Sequence, residues 1–163
     1  MSDKTVRVLF TGGGSGGPTI PLLALAQEIR GLKKNSEFLF LGSKFGPERK
    51  MVEQAEIPFS TIPSGKLRRY WNWRNFIDPL YILGGGITGL IYLLRFRPQV
   101  IVSAGSFVSV PVAYAAWLLR IPHVIMQMDL RSGLANRLMA PVSSAIVFYF
   151  DSTASQFPSI SLK

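Results

Sequence analysis

The sequence predicts an α/β fold, a parallel sheet with helices on both faces. Three observations carry this. Short β-branched or apolar runs alternate with apolar-periodic segments six times along 163 residues, the pattern of repeated strand–helix–strand units. The first such run, Val6 to Phe10, leads straight into five glycines in six positions, Gly12 to Gly17. A second small-residue turn, Ser103-Ala104-Gly105-Ser106-Phe107, follows a later run, Val100-Ile101-Val102. A chain of this length holds one ordinary core, placed here at residues 1–150, with polar residues 151–163 expected to start a linker.

The elements follow in order. After the glycine loop, Ile20, Leu22, Leu23, Leu25, Ala26 and Ile29 make an apolar-periodic segment, read as a helix from about Thr19 to Leu32. Pro21 fits its first turn, where no donor is lost. Glu37 to Leu41 reads as a second strand. Pro47-Glu48 opens a second helix through about Ala55, and Ile57 to Ile62 a third strand with Pro58 at its start. The apolar run from Phe76 to Phe96 reads as a helix with one face on the sheet; the other face is open to a bilayer interface or to the core. Its 16 uncharged residues, Pro79 to Leu94, fall short of the roughly 20 that span a bilayer. A helix from about Val110 to Leu119, a fifth strand at His123 to Met126, a short helix at Gly133 to Met139 and a sixth strand at Ala145 to Phe150 complete the series.

Ligands in parallel sheets sit beyond the carboxyl ends of the strands. The loops after the first, fourth and fifth strands meet there, carrying Gly12–Gly17, Gly105–Phe107 and Gln127–Ser132. Glycine lets the backbone approach a ligand, and unpaired amides at the start of the following helix suit a phosphate or diphosphate. A tight turn without a ligand is the alternative. Glu37 stands at the start of its strand, so the ribose-binding acid of a dinucleotide site is missing, and no Gly-Lys-Ser/Thr follows to make a Walker loop.

Composition removes other classes. There is no cysteine, hence no disulfide, thiolate metal site or cysteine nucleophile. A lone histidine, His123, precludes a His-rich metal site. The amino terminus enters a strand directly, with no signal-peptide pattern. Net charge is +9, open to nucleic acid, membrane or phosphorylated ligand. Its distribution favours a membrane surface. Lys66, Arg68, Arg69 and Arg74 interleave with Leu67, Tyr70, Trp71 and Trp73, and the adjoining apolar run is closed by Arg95 and Arg97. No RRM or KH motif points to nucleic acid.

Three stretches together resemble the MurG family of peptidoglycan glycosyltransferases, family 28: Thr11 to Pro21 followed by Leu23, Ala24 and Ala26; Ser103 to Pro111; and Ile121-Pro122 with Gly133-Leu134-Ala135-Asn136. The resemblance covers essentially the whole chain. It implies the amino-terminal, Rossmann-like half of a GT-B fold, which binds an undecaprenyl-diphosphate-linked muramoyl-pentapeptide. UDP-N-acetylglucosamine would be held by a C-terminal domain that this sequence does not contain. The expected setting is the cytoplasmic face of the plasma membrane, with Lys66, Arg68, Arg69, Trp71, Trp73, Arg74 and Arg95 as contacts. The resemblance implies no metal and no cofactor. The substrate-binding residues it implies are Gly13, Gly14, Ser15, Gly16, Gly17, Gly105, Ser106, Phe107, Asp129 and Asn136.

The sequence departs from the family at two places. The family's glycine loop ends Gly-Gly-His, the histidine being the favoured base; here the position is Pro18, which cannot take a proton. The family's His-Glu-Gln-Asn is Met126-Gln127-Met128-Asp129, which leaves Asp129 as the candidate base or a loop-capping aspartate. The expectations are therefore the acceptor half of a transferase, inactive alone, or else a non-catalytic lipid-diphosphate-binding module or a subunit of a split enzyme.

Overall fold

The computed structural model describes residues 5–14, 16–63 and 78–157, with the side chains of 78–83 excepted. Ser15, Lys66, Arg68, Arg69, Trp71, Trp73 and Arg74 lie outside the described residues.

The chain runs β1 (Val6–Thr11), α1 (Thr19–Leu32), β2 (Ser36–Gly42), α2 (Glu48–Gln54), β3 (Phe59–Thr61), α3 (Asp78–Phe96), β4 (Val100–Ser103), α4 (Ser109–Leu118), β5 (His123–Gln127), α5 (Leu134–Met139) and β6 (Ala145–Phe148). Short 3-10 turns cover Ala140–Val142 and Asp151–Gln156. All strand pairs are parallel, in the order β3-β2-β1-β4-β5-β6. This is the expected α/β architecture. The order reverses between β1 and β4, and that switch point opens a crevice at the strands' carboxyl ends.

Alternation along the strands sends side chains to two cores. Leu9, Leu39, Leu41 and Ile101 pack with Leu93 of α3 and with Val112 and Ala116 of α4. Val8, Phe10, Phe38, Phe40 and Val102 pack on the opposite face with Leu22 and Ala26 of α1 and Val52 of α2. Parallel register sets Leu9 beside Leu39 and Phe10 beside Phe40, so neighbouring strands supply each layer from matching positions. Each fully buried large side chain contributes about 1.5–3 kcal/mol.

A third cluster joins Val110 and Ala113 of α4 to Ile125, Ala135, Met139, Ile146 and Phe157. The turn after β6 returns Phe157 to the sheet, its ring 5.6 Å from that of Phe148.

The packing of α3 explains two glycines of the apolar run, Gly85 and Gly89. A Cβ on Gly85 would collide with the Pro63 carbonyl and come within 3.1 Å of Pro111. One on Gly89 would rest 3.7 Å from the Val112 backbone. These positions let α3 lie close against α4. Leu93 is buried in that contact, while Ile87, Ile91 and Leu94 are exposed. No helix among the described residues is long and apolar enough to cross a membrane.

Candidate functional site

The glycine loop leaves β1 through Gly13 and Gly14, both at positive φ, 154° and 83°. These are conformations that suit glycine. The second turn leaves β4 through Gly105 at φ 80° and Ser106 at φ 141°. A serine in that region is strained by about 1–3 kcal/mol and persists only where its surroundings hold it. Here the Ser106 carbonyl accepts the Ser109 N–H at 3.1 Å and its Oγ accepts the Val108 N–H at 3.3 Å. Ser109 Oγ donates to the Thr11 carbonyl at 3.0 Å, so the start of α4 is tied to the end of β1. The two loops form one wall of the crevice.

The loop after β5 is fixed by an amide relay. Gln127, 1% exposed, donates through Nε2 to the carbonyls of Asp129 (2.8 Å) and Arg131 (3.4 Å). Two carbonyl partners fix which end of its amide donates. Its Oε1 therefore accepts, and takes Asn136 Nδ2 at 2.7 Å. This leaves Asn136 Oδ1 buried with no partner among the described residues. That oxygen is 3.3 Å from where a Gly105 Cβ would stand. The structure thus brings Gly105 and Asn136 together, with Ser106 and Phe107 in the same turn. Asp129 is exposed on the loop that Gln127 holds.

The first turn of α1 differs from the sequence expectation of unpaired amides. The Thr19 and Ile20 N–H groups both donate to the Gly16 carbonyl, at 3.1 and 3.2 Å. Pro18 and Pro21 carry no N–H. Pro18 sits at the helix N-cap with φ −66°, a value its ring favours.

Two polar groups escaped the sequence reading. Glu48, fully buried at the head of α2, accepts the Gly14 N–H (3.2 Å), the Ser43 N–H (3.0 Å) and the Ser43 hydroxyl. Its only sequence signal was an acid opening a helix. Ser109 had none beyond its place in the Ser103 to Pro111 stretch.

His123 is no base for this crevice. Its ring is buried between hydroxyls, Nε2 2.8 Å from Ser103 Oγ and Nδ1 2.8 Å from Ser143 Oγ. Burial pushes its pKa down to about 4, against about 6.5 in the unfolded chain. The unfolded state therefore takes up the proton first. The cost to stability is absent above about pH 6.5, grows as pH falls to about 4, and reaches about 3 kcal/mol. Urea unfolding should show this decline, and His123→Gln should remove the part lying between pH 6.5 and 5. An equal decline in the variant would refute the assignment.

Comparison with known proteins shows the family. Residues 8–148 match the glycosyltransferase family 28 N-terminal domain. The chain is 41% identical over 150 residues to the UDP-N-acetylglucosamine–N-acetylmuramyl-(pentapeptide) pyrophosphoryl-undecaprenol N-acetylglucosamine transferase of Legionella pneumophila (strain Corby), covering 92% of this chain and 41% of that protein. A similarly named transferase of Bacillus thuringiensis (strain Al Hakam) is 36% identical over 152 residues, 93% of this chain and 43% of its own. The chain thus spans about two-fifths of these relatives' length. Among solved structures, Acinetobacter baumannii MurG superposes with a TM-score of 0.76 at 22% identity, over 91% of this chain and 43% of that one. The UDP-GlcNAc 2-epimerase of Neisseria meningitidis shares the fold at a TM-score of 0.60 and 14% identity, over 94% of this chain and 42% of that one. The chain belongs to glycosyltransferase family 28, whose N-terminal domain it contains.

Proposed function

We propose that this chain binds the lipid-linked acceptor of an N-acetylglucosaminyl transfer, an undecaprenyl-diphospho-muramoyl-pentapeptide, at the cytoplasmic face of the plasma membrane. UDP-N-acetylglucosamine would be supplied by a C-terminal domain. The observation that carries the reading is the buried Asn136 Oδ1 beside Gly105 at the switch-point crevice, without a partner among the described residues, an acceptor suited to a sugar hydroxyl or amide N–H. The head group of the acceptor would rest on Gly13, Gly14, Ser15, Gly16, Gly17, Gly105, Ser106 and Phe107. In the transfer, the acceptor hydroxyl attacks the anomeric carbon of the sugar donor, UDP departs, and Asp129 is the proposed base for the hydroxyl proton.

A second feature supports the membrane setting. A groove of about 480 Å³ between α3 and α4 is lined by Ile87, Leu90, Pro111, Tyr114 and Leu118. Pro111 lies in the first turn of α4, so the groove starts next to the crevice. Trp117 and Leu118 are exposed beside it, as are Arg95 and Arg120 at the ends of α3 and α4. Apolar surface with basic residues suits an anionic leaflet. Lys66, Arg68, Arg69, Trp71, Trp73 and Arg74 are proposed to extend this contact.

Pro18, at the position of the family's histidine, favours a second reading, a binding module that does not catalyse. One experiment separates the two. Anionic vesicles with and without the acceptor are sedimented with the chain; a donor domain from a relative and UDP-N-acetylglucosamine are then added. Preferential binding to acceptor vesicles followed by transfer is expected. Binding without transfer favours the module. Equal binding to both vesicle types refutes the acceptor reading.

A further inference from the structure

The glycine loop already holds an anion, and it is part of the protein. Glu48 Oε1 takes the Gly14 N–H, the donor that an incoming phosphate would use, along with both donors of Ser43. The loop is shaped around this carboxylate. A Cβ on Gly13 would collide with Oε1, and one on Gly46 would collide with Oε2. Burial raises the Glu48 pKa, but the hydrogen bonds from Ser43 and Gly14 outweigh it and hold the group below its ordinary value of 4.5. It is a carboxylate at neutral pH.

No ion pair among the described residues offsets that charge. The ion pairs among the described residues are Arg7–Glu37 and Arg49–Glu53, and neither includes Glu48. Its Oε2 is buried without a hydrogen-bond partner among the described residues. Other donors at this loop are also engaged: Gly12 N–H on the Leu41 carbonyl, and the Thr19 and Ile20 N–H groups on the Gly16 carbonyl. A buried like charge within a few ångströms repels a second anion strongly, because little water screens it.

We propose that Glu48 is a specificity-determining residue: its carboxylate fills the Gly13–Gly14 end of the glycine loop, keeps the ligand's diphosphate off it, and reserves that end for a neutral part of the ligand such as a sugar ring. The inference rests on the diphosphate acceptor reading above. The diphosphate is thereby confined to the Gly16–Gly17 side and the second turn.

The test titrates the full chain and its Glu48→Gln variant with geranyl diphosphate and with geranyl monophosphate. Removing the charge should tighten diphosphate binding about tenfold or more, and monophosphate binding less, since the effect scales with ligand charge. Equal or weaker diphosphate binding by a folded variant overturns the inference and makes Glu48 a brace for the loop. Absence of diphosphate binding to both proteins defeats the acceptor reading and the inference with it. A measurement on the unaltered chain guards against a variant that does not fold. In amide NMR, saturating geranyl diphosphate should leave the Gly14 resonance nearly unmoved while other crevice amides shift. A Gly14 shift among the largest overturns the inference.

Discussion

Gly13→Ala is expected to weaken acceptor binding by about a hundredfold, the equivalent of roughly 2.7 kcal/mol. Two effects act together. Gly13 has φ 154°, and an L side chain held there costs about 1–3 kcal/mol. The new methyl would also strike the Glu48 carboxylate and come within 3.1 Å of the Ser43 amide. Neither neighbour yields easily, because Glu48 is buried and Ser43 is tied to it by hydrogen bonds. The loop must shift, carrying Gly14 with it. Vesicle binding with and without the acceptor reads the loss directly. Gly14→Ala is the control, since a Cβ there meets nothing within 4 Å and only its φ of 83° is strained. Gly14→Ala should cost less than Gly13→Ala; the reverse order would show that the carboxylate does not shape the loop.

Gln127→Leu should be the most damaging polar substitution on the other side of the crevice. Leucine fills a similar volume but leaves the Asp129 and Arg131 carbonyls and the Asn136 amide without their partner. Orphaning the buried Asn136 amide costs about 1–3 kcal/mol, and the carbonyls of the exposed Asp129 and Arg131 add less, so a loss of about 3 kcal/mol is expected, lowering the melting temperature by roughly 6–12 °C. Acceptor binding should fall as well, because Asn136 loses the contact that orients Oδ1. Thermal unfolding and vesicle binding on the same preparation check both. A variant that melts like the unaltered chain would mean that the relay does not hold the loop.

The relay also marks where the sequence stopped being informative. Gly133-Leu134-Ala135-Asn136 reads as a family stretch, but which atom of Asn136 lies beside Gly105 depends on Gln127, and that depends on two carbonyls set by a folded loop. Glu48 is the sharper case. It reads as an acid at the start of a helix, whereas its partner Gly14 is 34 residues away. Only the pairing of β1 with β2 brings the loops that follow them together. His123 opens the fifth strand in the sequence reading and in the structure; the hydroxyls of Ser103 and Ser143 that flank it required the sheet order. The globular unit was read as ending at residue 150, because Asp151 to Gln156 are polar, yet Phe157 packs on Phe148.

What the sequence determined was local and periodic. Apolar spacing placed α1 at Thr19 to Leu32, where the structure has it. Alternation of strand and helix predicted a parallel sheet, and the glycine loops with the Gly-Leu-Ala-Asn stretch predicted the family. β3 was read as Ile57 to Ile62 but pairs with β2 over only Phe59–Thr61, since a strand's length at a sheet edge is set by its neighbour. The tertiary structure decided the order β3-β2-β1-β4-β5-β6, the switch point it creates, and the hydrogen bonds across it. Those bonds join residues far apart in the chain, and their geometry exists only once hydrophobic packing has fixed the sheet.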